Sequence, residues 1–130
     1  MEPDRSEKIT INLGPVDLGR IDLLVQEGHY ANRTDFIRTA IRNHLATSGA
    51  TIDDTVARRT LVLGTQHFSR ADLEARRARG ETVHIRVLGL ATVADDVPAE
   101  LALAVIASVE VLGAFRASRA VKVALGPRIA

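Results

Sequence analysis

A short alternating segment near the amino end, residues 8–13, constrains the fold of this chain most strongly. It predicts a β-strand whose apolar side chains share one face, namely Ile9, Ile11 and Leu13. The opposite face carries a cation, a hydroxyl and a carboxamide, from Lys8, Thr10 and Asn12. A single strand is not stable in water, and the next thirty or so residues offer no second strand. We therefore expect this strand to pair antiparallel with the same strand of a second copy.

Two short amphipathic helices are predicted after the strand. The first should run from about Val16 to Glu27 and end at Gly28. The second should begin after Asn32, which can cap the free amides of its first turn, and end at Ser48-Gly49. About forty residues cannot bury a sufficient core alone, whereas two copies can. The predicted dimer core consists of Ile9, Ile11, Leu13, Phe36, Ile37 and Ile41.

The composition is that of a globular chain, with 46% hydrophobic and 25% charged residues in 130. Cysteine is absent, which excludes disulfides and thiolate metal sites, and the four histidines lack the spacing of metal ligands. We find no phosphate loop and no nucleophile beside a base. The sequence therefore predicts no enzyme, no cofactor, no metal and no small-molecule ligand. The first residues lack a secretory signal and no apolar run reaches roughly 18 residues, so we expect a cytoplasmic protein without a membrane partner.

A near-repeat organises the second half of the chain. The tripeptide Val-Leu-Gly recurs at residues 62, 87 and 111, at intervals of 25 and 24. Each unit is interpreted as a strand ending at glycine, then a helix capped by Ser69, Asp96 or Ser118. Such alternation predicts a small α/β domain over residues 60–130, with about three β-α units, parallel strands and a solenoid-like arrangement. Its middle helix should span Pro98 to Ser108.

Open ends of such units tend to recruit partners, so we interpret this half as an oligomerisation domain. The repeat residues predicted to serve self-association are Val62, Val87, Leu88, Val111 and Leu112. A small domain that merely stabilises the dimer is a comparable alternative. Residues 1–6 are predicted to be a flexible terminus, residues 7–47 a dimerisation domain and residues 48–59 a linker with one helical turn.

The strand, cap and helix pattern resembles a known DNA-binding domain. Residues 8–13, the helix up to Gly28 and the stretch from Tyr30 to Arg42 are similar to the ribbon-helix-helix domain of the Arc, MetJ and CopG superfamily. The resemblance implies an intertwined α+β homodimer that inserts a two-stranded ribbon into the major groove of double-stranded DNA. An operator of palindromic or repeated half-sites is implied as the partner, and a transcriptional repressor as the function.

The resemblance also assigns residues to the DNA contact. The base readers by position are Lys8, Thr10 and Asn12, and the phosphate-binding group at the start of the second helix is Asn32, Arg33 and Thr34. Residues 1–47 carry six Lys/Arg and seven Asp/Glu, a net charge of −1. We therefore expect weak non-specific affinity, with more of the binding resting on base contacts.

Three other interpretations remain open. An alternating strand without the following helices would be an ordinary solvated edge strand. An antitoxin uses the same DNA-binding domain with a tail that neutralises a toxin, although residues 61–130 are periodic and apolar rather than acidic. A polymerising scaffold protein would use the ribbon only to dimerise or to coat DNA. We expect further association beyond the dimer, to a tetramer or higher, in either the regulator or the scaffold.

Overall fold

The computed structural model describes residues 6–130, which form two compact units, residues 6–55 and 56–130. Most of the predicted flexible terminus, residues 1–5, lies outside the described residues. In all, the described chain contains six α-helices and one three-stranded parallel sheet.

The first unit contains a pair of helices, α1 (Pro15–Gln26) and α2 (Arg33–Thr47), as the sequence pattern predicts. Pro15 stands at the first helical position, where its missing amide costs nothing, and Gly28 follows α1 with a φ of +84°, a conformation that favours glycine. Residues 6–14 form neither helix nor strand. The predicted partner of residues 8–13 is a second copy of the chain, so the strand stays a prediction.

The predicted linker over residues 48–59 is wrong in its conformation, because a third helix, α3 (Gly49–Arg59), occupies it. Ile52, Thr55 and Val56 recur at helical spacing and are half-buried, so this small, polar stretch is amphipathic. Its last turn carries Arg58 and Arg59, which suit the negative end of the helix dipole.

The second unit alternates strands and helices. Its elements are β1 (Val62–Phe68), α4 (Arg70–Ala78), β2 (Val83–Val93), α5 (Ala99–Val105), β3 (Ile106–Arg116) and α6 (Arg119–Leu125), followed by a short 3-10 turn. The strands lie in the order β1-β2-β3 and both pairs are parallel. Ser69 and Ser118 cap α4 and α6 as predicted, each accepting from the amide three residues later.

The three Val-Leu-Gly repeats pair with one another in register across the sheet. Gly64 pairs with Gly89, and Gly89 pairs with Gly113, so the three glycines form one column across the strands. The prediction that each strand ends at its glycine is wrong, since all three continue for three or four more residues. Each glycine of the column has a φ between +121° and +140°, which departs from the extended backbone of a strand. Because this departure occurs at the same register position in all three strands, their pairing continues beyond it.

The middle helix is shorter than predicted and is capped elsewhere. Asp96 lies in a turn and Pro98 occupies the N-cap position of α5, which ends at Val105 rather than Ser108. Ile106 already pairs with Val83 of β2. The β-branched residues of this stretch therefore extend β3 along its neighbour instead of continuing the helix.

The core of the second unit lies between one face of the sheet and its helices. Buried side chains of β2 and β3 pack against Leu73 of α4, Leu101 and Val105 of α5, and Leu125 of α6. Val87 is part of this core with 0% exposure. Alternation along the strands leaves Leu63, Leu88 and Leu112 on the opposite face of the sheet.

Glu110 lies on that opposite face between two cations. It accepts hydrogen bonds from Arg59 and, at 3.3 Å, from Arg86. The hydrogen bond from Arg59, reinforced by the charges of both guanidinium groups, holds the pKa of Glu110 below its ordinary value against a smaller opposing effect of burial.

This arrangement predicts a pH-dependent contribution to folding. A carboxyl whose folded pKa is depressed stabilises the protein above its unfolded pKa of about 4.3, and the contribution is lost as pH falls through the folded pKa. We expect Glu110→Gln to lower the free energy of unfolding at pH 7, and we expect this deficit to be smaller at pH 3, because the ionic contribution declines as pH falls below the unfolded pKa. Urea unfolding at both pH values measures this. Equal deficits at both would contradict the ionic contribution.

Candidate nucleic-acid interface

The first unit has almost no interior of its own. Of its described residues only Ile21 is a buried hydrophobic side chain, at 6% exposure. The predicted strand leaves its apolar side chains in solvent, with Ile9, Ile11 and Leu13 exposed by 71%, 52% and 42%. A stable domain of this size buries most of its large apolar residues. The unit therefore has the surface of one half of a larger core.

The apolar side chains of the first unit converge on a concave surface between the two helices. This surface, called the apolar groove below, is lined mainly by Ile11, Leu13, Ile21, Leu24, Phe36, Ile37, Ala40 and Ile41. The predicted dimer-core residues other than Ile9 all lie in this groove, and Ile9 lines a neighbouring concavity with Lys8 and the outer side of α2. The two helices and the segment before them thus present a continuous apolar surface.

The amino end of α2 is held by a reciprocal set of hydrogen bonds. The Asn32 side chain accepts from the Asp35 amide at 2.8 Å, which confirms the predicted cap. Asp35 in turn accepts from the amide of Ala31 at 2.9 Å. Tyr30 packs edge-on against Phe36 with ring centroids 5.0 Å apart. The turn is fixed, and the first-turn amides of Arg33 and Thr34 lie at the positive end of the helix dipole.

The Arg33 side chain has a carboxylate partner within the chain. Its Nε donates to Asp22 Oδ1 at 2.7 Å and its Nη2 donates to Oδ2 at 2.8 Å. These hydrogen bonds lower the pKa of Asp22 below its ordinary value. The pair is about half exposed, so a stronger anion could compete for the guanidinium. The sequence reasoning missed Asp22, because an ion pair between residues eleven apart leaves no local signal.

The predicted base readers are exposed. Lys8, Thr10 and Asn12 precede α1 in residues 6–14, and Lys8 borders α2 beside Arg38 and Arg42. A single chain cannot bring two sets of readers together, so their joint geometry depends on a second copy.

Of the repeat residues predicted for self-association, Val87 is buried inside the core of its own unit and Val111 packs against that core. Val62 and Leu112 are exposed and Leu88 is half-buried.

Residues 6–130 contain no group of metal-ligating side chains that could hold an ion. In the same range, each helix falls short of the length and apolarity needed to cross a bilayer.

The comparison with protein families identifies the chain. The sequence model of the Ribbon-Helix-Helix transcriptional regulator family matches residues 4–122. The chain belongs to this family. Ribbon-helix-helix regulators bind DNA, are typically dimeric and are typically not enzymes. No curated protein and no solved structure matches the chain.

The extent of the match adds to the family assignment. The resemblance noted in the sequence covers about a third of the chain, whereas the family match includes β1 to β3 and the first turn of α6. The second unit of this ribbon-helix-helix regulator is therefore part of the family's own pattern.

Proposed function

We propose that this regulator is a homodimer whose paired strands, residues 8–13 of each copy, read the major groove of an operator. The observation that carries the proposal is the nearly empty interior of residues 6–55, beside an exposed apolar groove. Two copies joined about a two-fold axis would cover both grooves with the apolar faces of both strands. This leaves the side chains of Lys8, Thr10 and Asn12 on the outer face of the ribbon.

The chemistry of the outer face suits base edges. An asparagine side chain can bond adenine at two positions, a lysine can donate to guanine, and a threonine can contact a thymine methyl group. The amino end of α2, with Asn32, Arg33 and Thr34, would fix the register by holding a backbone phosphate. Binding in the major groove of a promoter excludes other proteins from that DNA, which makes repression by occlusion the regulatory mode that we propose.

The arrangement of the whole chain follows from this assignment. We propose a ribbon-helix-helix domain in the first unit and an α/β domain in the second, which associates copies of the chain beyond the ribbon. A DNA-associated scaffold remains the second candidate, since exposed Leu63 and Leu112 on the sheet would suit further assembly. Light scattering with and without DNA separates the two. A discrete dimer or tetramer supports the regulator, and open-ended growth supports the scaffold.

Selection from a random duplex library tests the proposed function directly. The full chain should enrich a motif made of two or more related half-sites, because each ribbon of a two-fold dimer presents the same readers twice. Enrichment of unrelated sequences, or binding that follows length alone, would overturn base reading.

The Arg33–Asp22 pair gives a graded prediction for phosphate binding. Arg33→Ala should weaken binding to all DNA sequences alike and reduce the slope of log affinity against log salt by about 1 for each copy in contact. Asp22→Asn should act in the opposite direction, because it frees the guanidinium. Arg119→Ala, an exposed cation in the second unit, serves as the control. Titrations of operator and unrelated DNA at several salt concentrations measure the effect, and unchanged slopes in Arg33→Ala would exclude the contact.

A further inference from the structure

The second unit presents one face of its sheet without a covering layer. The helices α4, α5 and α6 pack on the face that contains Val87, as the buried cluster shows. On the opposite face, called the leucine face below, Leu63 and Leu112 are exposed by 63% and 45%. Parallel sheets in proteins are nearly always covered on both faces, because their strands carry apolar residues on both sides. The leucine face therefore has the chemistry of an interface.

Side chains on the leucine face form five rows across the strands. The two middle rows are largely apolar, with Leu63, Leu88 and Leu112 in one and Thr65, Leu90 and Ala114 in the next. Polar rows flank them, with Arg86 and Glu110 on one side and His67, Thr92 and Arg116 on the other. A further polar row, His84 and Ser108, lies beyond Arg86 and Glu110. The two apolar rows and the nearest polar row on each side of them follow the order polar, apolar, apolar, polar. This order is the same when it is read from either end.

From this palindromic order we infer that the leucine face packs against the leucine face of a second copy, with the strands of the two sheets running in opposite directions. A two-fold axis between the middle rows then places Leu112 opposite the partner's Ala114 and Leu88 opposite the partner's Leu90. On β3 the large Leu112 meets the small Ala114 of the partner subunit, which suits close packing. In the flanking rows Glu110, which already accepts hydrogen bonds from Arg59 and Arg86 of its own chain, faces the partner's Arg116, and Arg86 faces the partner's Thr92, which is uncharged.

The other two-fold arrangement, with strands running in the same direction, fits poorly. It would place Arg86 opposite the partner's Arg86, and His67 opposite the partner's Arg116. Like charges that face each other directly are destabilising. The charge pattern therefore favours the reversed stacking of the two sheets.

The area of the leucine face suits contact with a second copy that another interface already holds nearby. Three strands about 4.8 Å apart and about seven residues long offer on the order of 300 Å² of sheet face. A free-standing interface needs about 800 Å² on each partner. The leucine face is thus too small to hold a dimer alone, but a short connection to an existing dimer raises the effective concentration to about the mM range. This inference rests on the proposed ribbon dimer, which supplies that second copy.

Because the chain has no cysteine, introduced thiols test the stacking cleanly. The full-length double variant Leu88→Cys/Leu90→Cys, treated with a short bifunctional thiol reagent, should form a covalent dimer at least about 100-fold faster than a control at μM protein. Leu103→Cys, an exposed leucine on α5, is that control. Leu88→Cys alone should cross-link more slowly than the double variant, since its partner position is Leu90.

Each outcome bears on the inference. Rapid cross-linking of the double variant supports it. A rate no higher than that of Leu103→Cys, in a variant that still sediments as a dimer and binds DNA, overturns the leucine-face contact and leaves the proposed function intact. Equal rates for Leu88→Cys alone and the double variant overturn the reversed orientation. Monomeric protein throughout contradicts the ribbon dimer itself and this inference with it.

Discussion

Replacing Ile11 by aspartate is expected to abolish dimerisation and DNA binding together. Ile11 lines the apolar groove and is 52% exposed in the single chain, so it is free to enter a shared core. A carboxylate there would be buried without a partner, which costs about 3–5 kcal/mol. Dimer affinity should fall by more than about 100-fold, since 1.4 kcal/mol corresponds to a factor of ten.

The matched control is Val16→Asp. Val16 is 68% exposed in the first turn of α1, where an acid suits the helix dipole, and it does not line the apolar groove. Sedimentation and circular dichroism of both full-length variants measure the outcome. Normal dimerisation of Ile11→Asp, or equal effects of the two substitutions, would mean that the groove is not the dimer core.

Replacing Gly113 by alanine should strongly destabilise the second unit. A Cβ at this position would lie 2.1 Å from the backbone oxygen of Gly89, and the φ of +121° is itself strained for alanine. The strain costs about 1–3 kcal/mol. The oxygen belongs to the neighbouring strand and cannot yield without breaking the β2–β3 pairing, so the total should exceed about 4 kcal/mol. That is a large share of the 5–15 kcal/mol that typically stabilises a domain.

Alanine substitutions at two other glycines separate the effect of the steric clash from the effect of the backbone strain. Gly64 has a φ of +127° with nothing within 4 Å of its Cβ position, so Gly64→Ala should show the strain alone. Gly126 has neither feature and should tolerate alanine. Urea unfolding of the three variants should rank them Gly113→Ala, Gly64→Ala, Gly126→Ala in order of decreasing loss. Equal losses at Gly113 and Gly64 would show that close approach of the strands is not what requires glycine.

The parts of the fold that local chemistry controls could be predicted from the sequence. The caps at Asn32, Ser69 and Ser118 depend on a side chain and an amide three residues apart, so each is visible in a short window. The three strands were predictable as well, because the Val-Leu-Gly repeat marks each of them, and the structure pairs the repeats in register.

Features that depend on distant contacts could not be predicted. The end of α5 at Val105 depends on β2, which draws Ile106 and its successors into the sheet. The continuation of the strands past their glycines depends on a matching irregularity in each neighbour. The Asp22–Arg33 pair joins two helices across a turn, and neither residue alone indicates the other.

Sequence discrimination by Asn12→Ala tests the central claim, that the paired strands read bases, most directly. The ratio of operator affinity to unrelated-DNA affinity should fall by about tenfold or more, because each good base contact contributes about 1–3 kcal/mol of discrimination. Asn43→Ala, an exposed asparagine on α2, should leave that ratio unchanged. Lys8→Ala should behave like Asn12→Ala. If the ratio is unchanged in both Asn12→Ala and Lys8→Ala while the dimer persists, the strand does not read DNA.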